Sequence, residues 1–79
     1  MKKDKDNLTI REREIYDYIV EFKRTNGYSP SWREIAQGVG TSSKNFIQKV
    51  LETLCDLGYI RYTHNKYRSI VIVKFLDEK

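Results

Sequence analysis

Polar side chains recur at helical spacing in the middle of the chain, and they are Lys44, Asn45, Gln48 and Lys49. The carboxamide of Asn or Gln can pair with the edge of an adenine, and a lysine ammonium can reach guanine or phosphate. Ser42 and Ser43 come just before them, and hydroxyls suit phosphate oxygens. The set indicates a surface that reads nucleic acid. A solvated helix face with capping residues at its start has the same composition, so both interpretations stay open.

An apolar pattern of helical period runs through the same stretch. It predicts a helix whose buried face consists of Phe46 or Ile47, Val50, Leu51, Leu54 and Leu57. Gly58 is predicted to end this helix, since glycine accepts the left-handed conformation of a C-cap. The polar residues of the first turns therefore fall on the exposed side of a helix that is anchored by its other side.

Two earlier helices are predicted from their capping signals. Thr9 with Glu12, and Ser31 with Glu34, have the spacing of a capping box, in which hydroxyl and carboxylate satisfy free backbone N–H groups. Gly27 stops the first helix. The buried faces are Ile15, Ile19 and Phe22 with Tyr18 in the first helix, and Trp32, Ile35, Ala36 and Val39 in the second.

The C-terminal part reads as a hairpin. The runs "YIRYT" and "SIVIVKF" are rich in β-branched and aromatic residues and flank the polar turn "HNKYR". The element order of three helices and a hairpin predicts an α+β fold that is mainly α: a three-helix winged helix-turn-helix with a C-terminal two-stranded β-hairpin wing. We expect a flexible charged arm over 1–7, the domain over 8–76 and a tail over 77–79.

Basic residues outside the third helix extend the candidate surface. Lys66 and Arg68 lie in the predicted wing tip, which can straddle a DNA backbone or probe a minor groove, although an ordinary polar turn has similar residues. Arg33, near the start of the second helix, is a candidate phosphate contact. Arg11 and Arg13 can contact phosphate or pair with neighbouring carboxylates, and pairing is favoured for Arg11.

Composition limits the classes of function. The chain has 79 residues, enough for one domain, and its net charge of +4 suits a polyanionic partner without proving one. One His and one Cys, without a third group to orient them, indicate no nucleophilic site, so we expect no enzyme, no metal and no cofactor. Cys55 falls in the apolar pattern. The absence of a long apolar run and of a disulfide pair predicts a cytoplasmic protein that does not enter the membrane.

The motifs "LTIREREIYDYI", "NGYSPSWREIAQGVG" and "L..LCDLGYIRY......R.I.I", in that order, make the chain from Leu8 to about Val73 resemble the N-terminal DNA-binding domain of LexA repressors. The resemblance implies sequence-specific binding to duplex DNA, usually as transcriptional repression. By the family's pattern, base contacts fall on Ser43, Asn45, Phe46, Gln48 and Lys49. Phe46 and Lys49 depart from the family's usual residues, which implies a different base preference.

LexA repressors continue into a self-cleaving domain that also dimerises, and this chain ends at Lys79. The sequence leaves open a stand-alone relative, of the kind a phage or mobile element would use, or an excised domain. A homodimer on a palindromic site is one expectation. The alternatives are a winged-helix module that binds a protein partner, and a DNA-binding accessory factor in replication or recombination.

Overall fold

The computed structural model describes residues 8–63 and 69–73, and the elements follow the predicted order. Helix α1 spans Ile10–Asn26, α2 spans Trp32–Val39 and α3 spans Lys44–Asp56. Strand β1 (Ile60–Arg61) pairs antiparallel with β2 (Val71–Ile72), with Ile60 opposite Ile72. The fold class is therefore confirmed as mainly helical with a two-stranded hairpin. None of the described helices is long and apolar enough to cross a membrane.

Each helix begins at a side-chain cap. Thr9 and Glu12 form the predicted capping box, with Thr9 N donating to Glu12 Oε1 at 2.9 Å and Glu12 N donating to Thr9 Oγ1 at 3.1 Å. Ser31 and Glu34 repeat the arrangement at α2. For α3 the cap is Ser43, whose Oγ accepts from Phe46 N at 3.1 Å. These bonds satisfy backbone N–H groups that have no partner inside the helix, so they fix where each helix starts.

The core lies where the three helices meet the hairpin. Its buried apolar residues are Leu8, Ile15, Tyr16, Ile19, Ile35, Ala36, Ile47, Val50, Leu51, Leu54, Tyr59, Ile60 and Ile70. Of the predicted core residues, Tyr18, Trp32 and Val39 are half-buried and pack against this cluster, whereas Phe22 is half-buried and lies outside it. Tyr16 and Leu8 were not predicted. The ring of Tyr16 lies 5.9 Å from the ring of Tyr59, which joins α1 to the segment before β1.

The prediction that Leu57 is buried was wrong. Leu57 is 41% exposed, because α3 ends at Asp56 and Leu57 is the C-cap. Gly58 has φ +87° and turns the chain, and Tyr59 N donates to Leu54 O at 2.9 Å. Tyr59 and Ile60 then occupy the core position at this end of the helix.

Both strands are shorter than the runs 59–63 and 69–75 that the sequence predicted. Val73 N donates to Tyr59 O at 2.8 Å, one bond beyond the paired residues. At the end of the hairpin nearer its tip, the Ser69 hydroxyl takes the place of the backbone hydrogen bonds between the strands. It accepts from Thr63 N at 2.9 Å and donates to Thr63 O at 3.0 Å. A side chain in place of the backbone pair stops the regular strand there. The predicted arm 1–7, the wing tip 64–68 and the end of the domain from 74 lie outside the described residues.

The hairpin is attached to the helices by a buried hydroxyl as well as by apolar packing. Ser29 Oγ, in the connection between α1 and α2, accepts from Ile70 N at 3.2 Å and donates to Pro30 O at 3.0 Å. Ser29 is 5% exposed, so water cannot replace it. A buried N–H without an acceptor is costly. This hydroxyl therefore couples the wing to the α1–α2 connection.

Replacement of Ser29 by Ala removes the acceptor of the Ile70 N–H and should lower the free energy of unfolding by about 1–3 kcal/mol. Urea denaturation followed by circular dichroism measures the loss. Ser69→Ala is the matched control, because that hydroxyl bonds to Thr63 near solvent and water can take its place. Equal losses for the two substitutions would contradict the role assigned to burial.

Gly38 should be intolerant of a side chain, because a methyl group there would overlap the ring of Tyr18 from α1. Gly38→Ala should lower the free energy of unfolding by about 1–3 kcal/mol through overpacking, although alanine favours a helix by about 1 kcal/mol over glycine. In a Tyr18→Ala background the same substitution should become neutral or stabilising. A loss of the same size in both backgrounds, measured by urea denaturation, would contradict this contact.

Candidate nucleic-acid interface

A four-residue turn, 40–43, presents α3 at a fixed angle to α2. Gly40 has φ +81°, and its N–H donates to Ala36 O at 2.9 Å, while Thr41 N donates to the same oxygen at 3.0 Å. The left-handed backbone at this point is one that glycine adopts without strain. Ala36 is buried, and its small side chain allows α2 to approach its neighbours closely.

The exposed side of α3 changes its charge along its length. Asn45, Lys49, Glu52 and Asp56 follow at intervals of four, three and four residues, and all four are exposed. Such intervals place residues in one line along a helix. The first two offer an amide and a cation, whereas the last two are acidic. A polyanion therefore suits only the first two turns of this line.

The acidic half of α3 faces the hairpin. Burial raises the pKa of the Tyr62 hydroxyl above its ordinary value, and the nearby carboxylates of Glu52 and Asp56 raise it further. Tyr62 follows β1 directly, so the second half of α3 is adjacent to the base of the wing. Because the phenol of Tyr62 is neutral, it can lie beside these carboxylates without charge repulsion. The carboxylates of Glu52 and Asp56 thus lie in the second half of α3, away from Asn45 and Lys49.

The first turn of α3 carries positive charge without an acidic residue to offset it. Lys44 is its first residue, at the end where the helix dipole is already positive. The Lys44 Nζ lies 5.2 Å from the centre of the Trp32 ring, and the Arg33 Cζ lies 5.7 Å from the same centre. Both separations are in the range of a cation–π contact, about 6 Å. Two cations therefore gather at the starts of α2 and α3.

A cleft of about 310 Å³ separates the start of α1 from α3. It is lined by Thr9, Ile10, Arg11, Glu12, Phe46, Lys49, Val50 and Thr53. The Phe46 ring is half-buried, and the Arg11 guanidinium lies 5.5 Å from its centre. Phe46 is thus held against α1 along one edge of the exposed side of α3.

Arg11 links all three helices. Its Nη1 donates to Glu14 Oε1 at 2.8 Å and to Val39 O, at the end of α2, at 3.3 Å, while its guanidinium covers Phe46. The expected pairing of Arg11 with a neighbouring carboxylate is therefore confirmed, and Arg13 pairs with Asp17 at 3.0 Å. The contacts with Val39 and Phe46 were not predicted, since sequence spacing gives no sign of a partner on another helix.

The structure brings most of the predicted site residues together around the turn. Arg33, Ser42, Ser43, Lys44, Asn45 and Lys49 are exposed, whereas Phe46 and Gln48 are half-buried. Lys66 and Arg68 lie outside the described residues. Within 8–63 and 69–73, no three side chains of the metal-ligating kinds come together. The sequence placed Trp32 on the buried face of α2 and gave no sign of its contacts with Arg33 and Lys44.

Three helices, a glycine turn before the third and a C-terminal hairpin define the winged helix-turn-helix class of DNA-binding domain. The profile of the LexA DNA binding domain family matches residues 5–69. The chain belongs to that family.

Curated relatives agree with this assignment. The chain is 47% identical over 72 residues to a LexA repressor of Staphylococcus epidermidis, covering 90% of this chain and 35% of the relative. It is 46% identical over 66 residues to one of Staphylococcus aureus and 40% identical over 67 residues to one of Koribacter versatilis. In these two matches, 84% and 85% of this chain and 32% of each relative are covered. The chain thus spans about a third of the length of these relatives.

Replacement of Arg11 by Ala should lower the free energy of unfolding by about 1–2 kcal/mol, because a cation–π contact and a bond to the end of α2 are lost together. Arg24→Ala is the matched control on the same helix: Arg24 pairs with Glu21 at 3.1 Å in solvent. The control should cost less than about 0.5 kcal/mol. Urea denaturation distinguishes the two, and equal costs would mean that the contacts of Arg11 between helices contribute nothing.

Proposed function

We propose that the chain binds duplex DNA sequence-specifically as a LexA-like transcriptional repressor, with the first two turns of α3 in the major groove. The observation that carries the proposal is the division of the exposed side of α3 into an amide-and-cation half and an acidic half. Membership of the LexA DNA-binding domain family supports it. The helix-turn-helix holds the favourable half at the start of α3, where such domains contact bases.

Base readout is assigned to five residues of the start of α3, which are Ser43, Asn45, Phe46, Gln48 and Lys49. Asn45 and Gln48 are suited to adenine, and Lys49 is suited to guanine. The half-buried ring of Phe46 offers an apolar edge of the kind that contacts a thymine methyl group. An aromatic side chain and a cation, where the family usually has smaller, acidic or polar residues, predict a base preference that differs from the family operator.

Backbone contacts are assigned to Arg33, Ser42 and Lys44, together with Lys66 and Arg68 of the wing. Arg33 and Lys44 are exposed at the starts of α2 and α3, and Ser42 precedes the cap of α3. Such contacts position a protein on the duplex without reading its sequence. Lys66 and Arg68 enter the proposal from the sequence alone. These residues should set the salt dependence of binding.

One domain with one reading helix covers a half-site, so repression would require two copies on a palindrome. A homodimer on DNA is therefore part of the proposal. We propose the repressor activity of the longer relatives for this chain as well. We also propose that it is located in the cytoplasm, where the DNA lies.

Selection from a random duplex DNA library, followed by a salt titration of the enriched sequence, tests the proposed function. A palindromic consensus with a Kd that rises with salt is the expected result. A single enriched half-site would support specific binding by a monomer. No enrichment and no affinity at low salt would overturn the proposal and favour a protein partner.

Gln48→Ala should change the relative affinities for duplexes that differ at one base pair, with a loss of about 1–3 kcal/mol on the preferred sequence. Lys66→Ala and Arg68→Ala should instead weaken binding to every sequence about equally and lower the salt slope by about one. Competition titrations with a panel of single-base-pair variants measure both effects.

Glu52→Gln is the matched control for Gln48→Ala, since Glu52 lies on the same helix but in its acidic half. Removal of this charge should slightly strengthen binding to all duplexes without a change in preference. An equal loss on every sequence for Gln48→Ala would refute its assignment to base readout.

A further inference from the structure

Trp32 is the single tryptophan of the chain, and two cationic side chains converge on its ring. Trp32 is the first residue of α2, and Lys44 is the first residue of α3. The contact between them therefore joins the starts of the two helices of the helix-turn-helix. Arg33, next to Trp32 in the chain, contacts the same ring.

The ring is a fixed platform for these cations. Trp32 is half-buried and packs against the hydrophobic core. The capping box of Ser31 and Glu34 fixes the start of α2, and with it the backbone from which the ring projects. A lysine or arginine side chain lies in many rotamers when it is free in water. Contact with an aromatic ring that packs against the core restricts those rotamers before any ligand arrives.

The charges of Arg33 and Lys44 remain available to a ligand. Across residues 8–63 and 69–73, neither side chain has a carboxylate within ion-pair distance, and both are exposed. The arginines of α1 differ: Arg11, Arg13 and Arg24 each have an acidic partner. An aromatic ring orders a cation without cancelling its charge, whereas a carboxylate does both.

We propose that Trp32 is a positioning residue for the DNA backbone, holding Lys44 and Arg33 in place to meet phosphate groups. The inference rests on the proposed function and deepens it, because it names the residue that organises the backbone contact. Binding normally requires long side chains to lose rotamer freedom, which reduces affinity. The Trp32 ring removes part of that loss in advance. Trp32 itself needs no contact with a base, so its effect is the same for all sequences.

The test compares Trp32→Leu with Trp32→Phe. Leu preserves an apolar side chain without an aromatic face, and Phe preserves a face for the cations. Fluorescence anisotropy with a labelled duplex gives the Kd over a range of salt concentrations, and thermal melts establish that each variant is folded. Trp32→Leu should weaken binding about three- to tenfold on every sequence, and Trp32→Phe should recover at least part of that loss. The salt slope should stay unchanged in both, since both cations remain.

A double-mutant cycle with Lys44→Ala separates positioning from general support of the fold. Lys44→Ala should lower the salt slope by about one, and it should cost less affinity in the Trp32→Leu background than in the unaltered chain. Independent effects of the two substitutions, or equal losses for Leu and Phe, would overturn the inference while leaving the proposed function intact. Failure of the unaltered chain to bind any duplex at low salt would overturn both.

Discussion

The rest of the structure depends on the orientation of α3, which packs one side into the core and leaves the other side exposed. Its apolar side supplies Ile47, Val50, Leu51 and Leu54 to the core, so the helix cannot rotate about its axis without exposing that surface. Burial of one such side chain is worth about 1.5–3 kcal/mol. The rotation that buries these residues also fixes which residues face outward. The position of Asn45 and Lys49 on the exposed side is therefore a consequence of core packing.

The positive charge near the start of α3 is unfavourable for the stability of that helix. A lysine at the first position of a helix opposes the helix dipole, and α3 has no acidic residue in its first turn to offset the charge. In α1 and α2, by contrast, the first turn contains an acidic residue, Glu12 or Glu34, which interacts favourably with the helix dipole. The exception at α3 is understandable if an anion completes the arrangement. Before an anion binds, the indole of Trp32 stabilises the Lys44 ammonium without neutralising its charge.

The sequence predicted the features that depend on residues close together in the chain. The capping boxes at Thr9 and Ser31 are local, and the structure has both of them. Features that depend on contacts across the fold were missed or misjudged. Leu57 is in phase with a buried face but lies past its end, and the Ser69 hydroxyl interrupts a ladder that β-branched residues favour. The burial of Ser29 beneath the hairpin has no local signal either.

In the candidate site, too, the local residue types were predicted from the sequence, whereas the contacts with other helices were not. Residue types identified Asn45, Gln48 and Lys49 as groups that could read bases, because amides and ammonium groups have that chemistry wherever they are exposed. The partners of Phe46 and Lys44 belong to other helices and could not be read from spacing. A bulky ring at position 46 requires room, and the cleft beside α1 provides it, with Arg11 covering the ring. The ring of Phe46 is thus accommodated by α1, and in the proposed interface the base preference would depend in part on residues that need not touch DNA.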